Sequence, residues 1–198
     1  MYNNTACGNI IILKENGSIF AIPTDLDDSP GGTLPENFSE NVLKVLADGS
    51  DKIYVTGKFE RYGGSVACHK IIRLYKNPSN NWVPDLTFPV ISQGLQGTST
   101  VTTGGYDMLL NDDGNLVVVG NFTTAQGTTA QNIVVISPTG TISPLGEDTT
   151  GIFATTGGIG APVIKTILNL GDRFIIGGNF NSYENNGIGS ESSQFVIP

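Results

Sequence analysis

The sequence predicts an all-β protein made of small antiparallel sheets set side by side, and three observations predict it. First, Asn9-Ile-Ile-Ile-Leu-Lys-Glu-Asn-Gly-Ser-Ile19 lines up without gaps on Asn132-Ile-Val-Val-Ile-Ser-Pro-Thr-Gly-Thr-Ile142. Second, Gly57-Lys58-Phe59, Gly120-Asn121-Phe122 and Gly178-Asn179-Phe180 recur, with their phenylalanines 63 and 58 residues apart. Internal self-similarity at a fixed period marks a repeat architecture. Third, the 26 glycines are about twice the usual share. They suit many short strands joined by turns, where Gly takes positive φ without strain.

The elements follow in order within each unit of roughly sixty residues. Apolar strands are expected at Val42 to Leu46, Met108 to Leu110 and Val163 to Leu168. The tight-turn signals Asp48-Gly49, Asp113-Gly114 and Gly171-Asp172 then close hairpins. The return strands are Lys52 to Thr56, Asn115 to Val119 and Arg173 to Gly177. Each leads into Gly-x-Phe, where the Phe fills the gap between neighbouring sheets and the Gly admits another backbone. A polar loop follows, then a third strand at Lys70 to Leu74, Asn132 to Ile136 and Gln194 to Ile197. The final strand is Trp82 to Phe88, Thr141 to Pro144 and, in a half unit at the start, Ser18 to Ile22. Four antiparallel strands cannot bury both faces alone, so neighbouring sheets stack around an axis or along a line.

This pattern resembles the delta-60 repeat family of β-propeller-like modules. The residues that carry the likeness are Asp51 to Phe59, Tyr62-Gly63-Gly64 and Ile71-Ile72-Arg73-Leu74, with Gly177-Gly178-Asn179-Phe180 and Tyr183 in the third copy. It covers roughly residues 9 to 198, with a looser second copy and Gly171-Asp172 where Asp-Gly is expected. The resemblance implies one repeat domain over residues 1–198: a β-propeller-like array of about three four-stranded blades plus an N-terminal half blade. The half blade takes residues 9–34, and the blades take 41–88, 106–146 and 163–198, the last incomplete. Three and a half blades fall short of a closed ring, so completion by a partner subunit is expected.

Charge narrows the partners. The formal net charge is −8, and the 10 Lys and Arg are spread along the chain, so no basic run exists to neutralise phosphates. Nucleic acid is not expected as a partner. Apolar runs such as Ile10 to Leu13 cover four residues, whereas a membrane-spanning helix needs about 20. The N-terminal residues show neither a basic stretch nor a long apolar core, so no signal peptide is expected. Cys7 and Cys68 could pair, but in a chain without a signal they read as two free thiols.

Candidate chemistry meets a plainer reading at each place. Asp25, Asp27 and Glu36 copy the first, third and twelfth positions of an EF-hand calcium loop. Pro30 stands where that loop needs Gly, and the competing reading is an acidic surface connection. No metal or cofactor is expected. His69 beside Cys68 does not make a nucleophile pair, because neighbours on a strand point to opposite faces. Thr155 to Pro162 is Gly-rich but lacks the Lys-Ser/Thr pair of a phosphate loop. Asp85, Asp112, Asp113, Glu147 and Asp148 offer carboxylates for glycoside hydrolysis, yet lie in turn-like contexts where Asp caps its own backbone. No catalytic residue is expected. Tyr62, Trp82 and Tyr183 are the candidate ligand-binding aromatics, with packing between blades as the competing reading. Gly57, Phe59, Gly120, Phe122, Gly178 and Phe180 are the structural repeat residues.

The function expected is non-enzymatic: a structural or binding module of a phage virion (fibre, spike, tail or capsid accessory) in assembly or host-surface recognition. Its partners would be other structural proteins or further copies of itself, and a surface glycan. Two alternatives stand beside it: a fragment of a bacterial surface or secreted adhesin, and a polysaccharide-degrading enzyme on a propeller scaffold.

Overall fold

The structure is a computed structural model. It describes residues 12–16, 18–21, 26–27, 42–62, 66–88, 93–98, 103–143, 152–154, 162–171, 173–180, 182–185 and 188–191. These residues form an all-β fold with several small antiparallel sheets, and among them no helix is long and apolar enough to cross a membrane. The expected strand at Gln194 to Ile197 lies outside the described residues.

β1 (Ile12–Leu13) and β2 (Ile19–Ala21) pair as a hairpin, the expected half unit. A seven-strand pattern follows, and it begins again twice. The first copy comprises β3 (Leu26–Asp27), β4 (Val42–Asp48), β5 (Lys52–Gly57), β6 (Arg61–Tyr62), β7 (Val66–Ala67), β8 (Ile71–Lys76) and β9 (Trp82–Pro84). The second comprises β10 (Leu95–Gln96), β11 (Gly104–Leu110), β12 (Leu116–Asn121), β13 (Thr124–Ala125), β14 (Thr128–Thr129), β15 (Ile133–Ile136) and β16 (Ile142–Ser143). The third is described as far as β17 (Ile152–Ala154), β18 (Val163–Asn169), β19 (Phe174–Asn179), β20 (Ser182–Asn185) and β21 (Ile188–Glu191).

Two kinds of sheet result. The main sheets run β4-β5-β8-β9 and β11-β12-β15-β16, with β18-β19 as the third. Small satellite sheets run β3-β6-β7, β10-β13-β14 and β17-β20-β21. The polar loop after Gly-x-Phe is therefore a short hairpin, paired with a strand that precedes the main sheet. Leu26–Asp27, expected in the N-terminal half blade, pairs instead with Arg61–Tyr62 of the first copy. The chain falls into two compact units, Met1–Gly94 and Leu95–Pro198.

Turn chemistry recurs with the strands. Gly49, Gly114 and Gly171 all take positive φ (69°, 76° and 86°), so the reversed order Gly171-Asp172 still places Gly where the hairpin needs it. The half-unit hairpin and the hairpins that end the first and second copies share one backbone bond: Lys14 N to Ser18 O, Asn77 N to Asn81 O and Ser137 N to Thr141 O, all 2.9 Å. That equivalence is the structural counterpart of the gapless match between residues 9–19 and 132–142. Side-chain oxygens of Asn16, Asn77, Asn111 and Asn169 accept amides within their own turns.

In the first unit, Ile53, Val55, Ile72 and Leu74 form one face of the main sheet and bury with Phe59, Tyr62 and Cys68. The opposite face pairs Tyr54 with Arg73 across the strands, and Arg73 lies 4.6 Å over the Phe88 ring. In the second unit, Val117, Val119 and Ile133 pack against Ile164 and Ile167, with Phe174, Ile176 and Phe180 beside them. Phe180 thus fills the space between successive sheets. Phe59 and Phe122 are fully buried.

Candidate functional site

The site grows out of one repeated irregularity. In all three long hairpins the register slips opposite the Gly of Gly-x-Phe. Val42 pairs with Gly57 and Lys44 with Thr56; Gly105 pairs with Gly120 and Asp107 with Val119; Ile164 pairs with Gly178 and Thr166 with Gly177. One extra residue is inserted each time: Leu43, Tyr106 and Lys165. A β-bulge of this kind bends the strand and re-aims a side chain.

The bulge explains the glycine. A Cβ on Gly120 would lie 2.0 Å from the Gly104 carbonyl oxygen, and one on Gly178 would lie 2.1 Å from that of Val163. Neither position has positive φ, so the demand is for space alone. The expected role of this Gly, admitting a second backbone, is what the hairpin geometry requires.

Just past the bulge, Asp107 ties β11 to β18. Its Oδ2 accepts the Thr166 hydroxyl at 3.0 Å and the Ile167 amide at 3.1 Å, while Oδ1 accepts the Met108 amide at 2.9 Å. Asp107 and Thr166 hold equivalent places after their bulges, so equivalent residues of successive repeats touch. Asn132 adds a second tie, donating to Gly120 O at 3.0 Å and Pro162 O at 3.1 Å.

These contacts frame an open groove of about 860 Å³ in the second unit. The two inserted residues, Tyr106 and Lys165, line it together with Asn121 and Asn179, the central residues of Gly-x-Phe. Val163, Thr166 and the glycine pair Gly177-Gly178 complete the wall. The groove presents an ammonium, a phenol, a hydroxyl and two side-chain amides, and among the described residues no carboxylate lines it. Such a set offers hydrogen-bond donors and acceptors to a polar ligand.

The aromatics expected from the sequence lie elsewhere. Tyr62 is 5% exposed in the core of the first unit, and its hydroxyl donates to Trp82 O at 3.4 Å. Trp82 is half-buried against the same core. Tyr183 lies in β20, where its backbone pairs with Phe153 and Glu191. Asp27 pairs along the backbone with Arg61, whereas Asp25 and Glu36 lie outside the described residues. Among the described residues no group of three His, Cys, Asp or Glu is placed to hold a metal ion.

The other titratable groups are structural. Cys68 is a free, fully buried thiol at the place Ala130 holds in the second copy. Burial pushes its pKa well up, and the Glu60 charge adds to that. It packs as a small apolar residue. His69 Nδ1 meets Glu60 Oε2 at 2.9 Å, and the Lys70 ammonium pairs with Glu60 Oε1. His69 and Lys70 both take positive φ, as do their equivalents Gln131 and Asn132. Asp85 caps its turn through the Thr87 amide and hydroxyl and meets Arg73 Nη2 at 2.8 Å. Asp112 and Asp113 are exposed in the turn after Asn111.

No sequence signal marks Tyr106 and Lys165 as inserted residues, because a bulge leaves no compositional trace, whereas Asn121, Gly178 and Asn179 lie in the Gly-x-Phe landmark. Comparison with protein-family models, curated proteins and solved structures returns no match.

Proposed function

We propose that the chain is a non-enzymatic structural and binding module of a phage virion, its repeats forming a β-propeller-like array that serves assembly or host-surface recognition. The observation that carries this reading is the contact between equivalent residues of successive repeats, Asp107 with Thr166. Sheets joined through equivalent strands can continue around an axis. Each end of such a row then offers an apolar sheet face that a further copy or another coat protein covers. The acidic charge of −8 keeps the particles of such an assembly soluble and disfavours nucleic acid.

The array also presents the inserted residues of its bulges at a fixed spacing, and weak sites multiplied by symmetry give useful avidity. Light scattering and electron microscopy of the purified chain test the proposal. A discrete oligomer with ring-like or fibre-like symmetry is expected. A strict monomer that melts cooperatively with full β-content overturns the assembly role. A gene neighbourhood of capsid and tail genes is expected, and one of secretion genes overturns the virion assignment.

A further inference from the structure

We infer that the groove between Tyr106 and Lys165 binds a saccharide bearing a carboxylate. This rests on the binding-module reading above and names the ligand class of its site.

Charge is the first argument. The chain carries net charge −8 with only 10 Lys and Arg, yet among the described residues this groove is lined by a lysine and by no carboxylate. The nearest acid in the sequence, Asp107, has both oxygens taken up by Met108, Thr166 and Ile167. Lys165 thus offers an anion one point of direct contact, while the whole molecule repels anions at long range. That combination selects a ligand with a single negative group held in direct contact. It selects against a polyanion, whose many charges would meet the net field.

Shape and hydrogen bonding are the second argument. The amides of Asn121 and Asn179 both donate and accept, as sugar hydroxyls do, and Tyr106 adds a ring face and a hydroxyl. Gly177 and Gly178 bring the β19 backbone to the groove wall. The groove's volume of about 860 Å³ falls within the range of small-ligand clefts. A carboxylated sugar uses every one of these groups, with its acid on Lys165 through a charge-assisted bond.

Isotope-labelled full-length chain titrated with sialyllactose and with a galacturonate trimer tests this, with lactose as the neutral control. Amide signals of Asn121, Gly177, Gly178 and Asn179 are expected to move with at least one acidic sugar, and lactose is expected to bind about tenfold more weakly. Lys165→Gln should lose about tenfold in affinity, Lys165→Arg should retain it, and Lys52→Gln should leave it unchanged. No shift with either acidic sugar up to roughly 10 mM overturns the inference. Equal binding of lactose, or shifts confined to other residues, also overturns it. Light scattering on the same samples separates the two readings. A discrete assembly without sugar-dependent shifts sinks the ligand alone, and a strict monomer that shifts sinks the assembly alone.

Discussion

Replacing Gly120 by Ala is the sharpest test of the repeated bulge. The new methyl carbon would sit 2.0 Å from Gly104 O, 2.9 Å from Gly105 Cα and 3.0 Å from Gly104 C. Ordinary contact begins near 3.4 Å, and the obstacles are backbone atoms that cannot rotate away. Strand β11 must therefore back off from β12 by more than an ångström at the Gly104–Asn121 and Gly105–Gly120 pairs. Overpacking of this kind costs about 1–3 kcal/mol, and a weakened ladder bond adds about 1 kcal/mol. The entropy lost from the unfolded chain returns about 0.4–1 kcal/mol. The net expectation is a loss of about 2–3 kcal/mol, or a fall in Tm of roughly 5–10 °C for a chain of this size. Gly114→Ala is the control: nothing lies within 4 Å, and only the positive φ of 76° is strained. It should cost about 1 kcal/mol. Differential scanning calorimetry of both variants decides the matter. A Gly120→Ala protein as stable as the parent, or more stable than Gly114→Ala, refutes the claim that the bulge requires this glycine.

Three further expectations follow from the same contacts. Asp107→Ala strands the buried Ile167 amide and releases Thr166, so urea denaturation should show a loss of about 2–3 kcal/mol, and an unchanged midpoint would contradict the tie between β11 and β18. Asp85 is held below its ordinary value of 3.8: burial pushes it up, but the hydrogen bonds from Thr87 and the Arg73 charge outweigh that. Its folded form favours the carboxylate, so its stabilisation is full above pH 3.8 and fades as pH falls lower; Asp85→Asn should flatten that acid limb of Tm against pH. Cys68, with its thiol pushed up by burial, should stay unmodified by iodoacetamide at mildly alkaline pH and react only in denaturant, as peptide mass mapping will show.

The parts of this fold that rest on side-chain pattern were legible in the sequence. The long hairpins announce themselves through apolar runs and through glycines that take positive φ at 49, 114 and 171. The match of residues 9–19 with 132–142 reports a real equivalence of hairpin turns. The satellite sheets were not legible, because strands of two residues such as Thr124–Ala125 and Thr128–Thr129 are too short to show a period. Their existence puts Tyr62 on the packed side of its two readings. The short hairpin of Arg61–Tyr62 and Val66–Ala67 folds back, and the ring goes into the core. The groove was hidden for a related reason. A bulge is a property of register, and Gly-x-Phe shows that something approaches without showing what is pushed outward.

The three copies separate what the fold needs from what it displays. Gly120 and Gly178 are the same because the partner strand crowds them, and Gly57 stands opposite the same register slip; Phe59, Phe122 and Phe180 are the same in that Phe59 and Phe180 pack against the sheet cores and Phe122 is fully buried. The inserted residues opposite them are Leu43, Tyr106 and Lys165, which share neither size, charge nor polarity. Were the bulge only a way to bend the strand, any small residue would serve in all three places. An aromatic in one copy and a cation in the next, lining one groove, instead means that the insertion is free to carry specificity while the glycine carries the fold. Changing Lys165 should therefore alter what is bound and leave the melting temperature nearly untouched, whereas changing Gly178 should do the reverse first: destabilise the hairpin, and weaken binding only as the groove deforms.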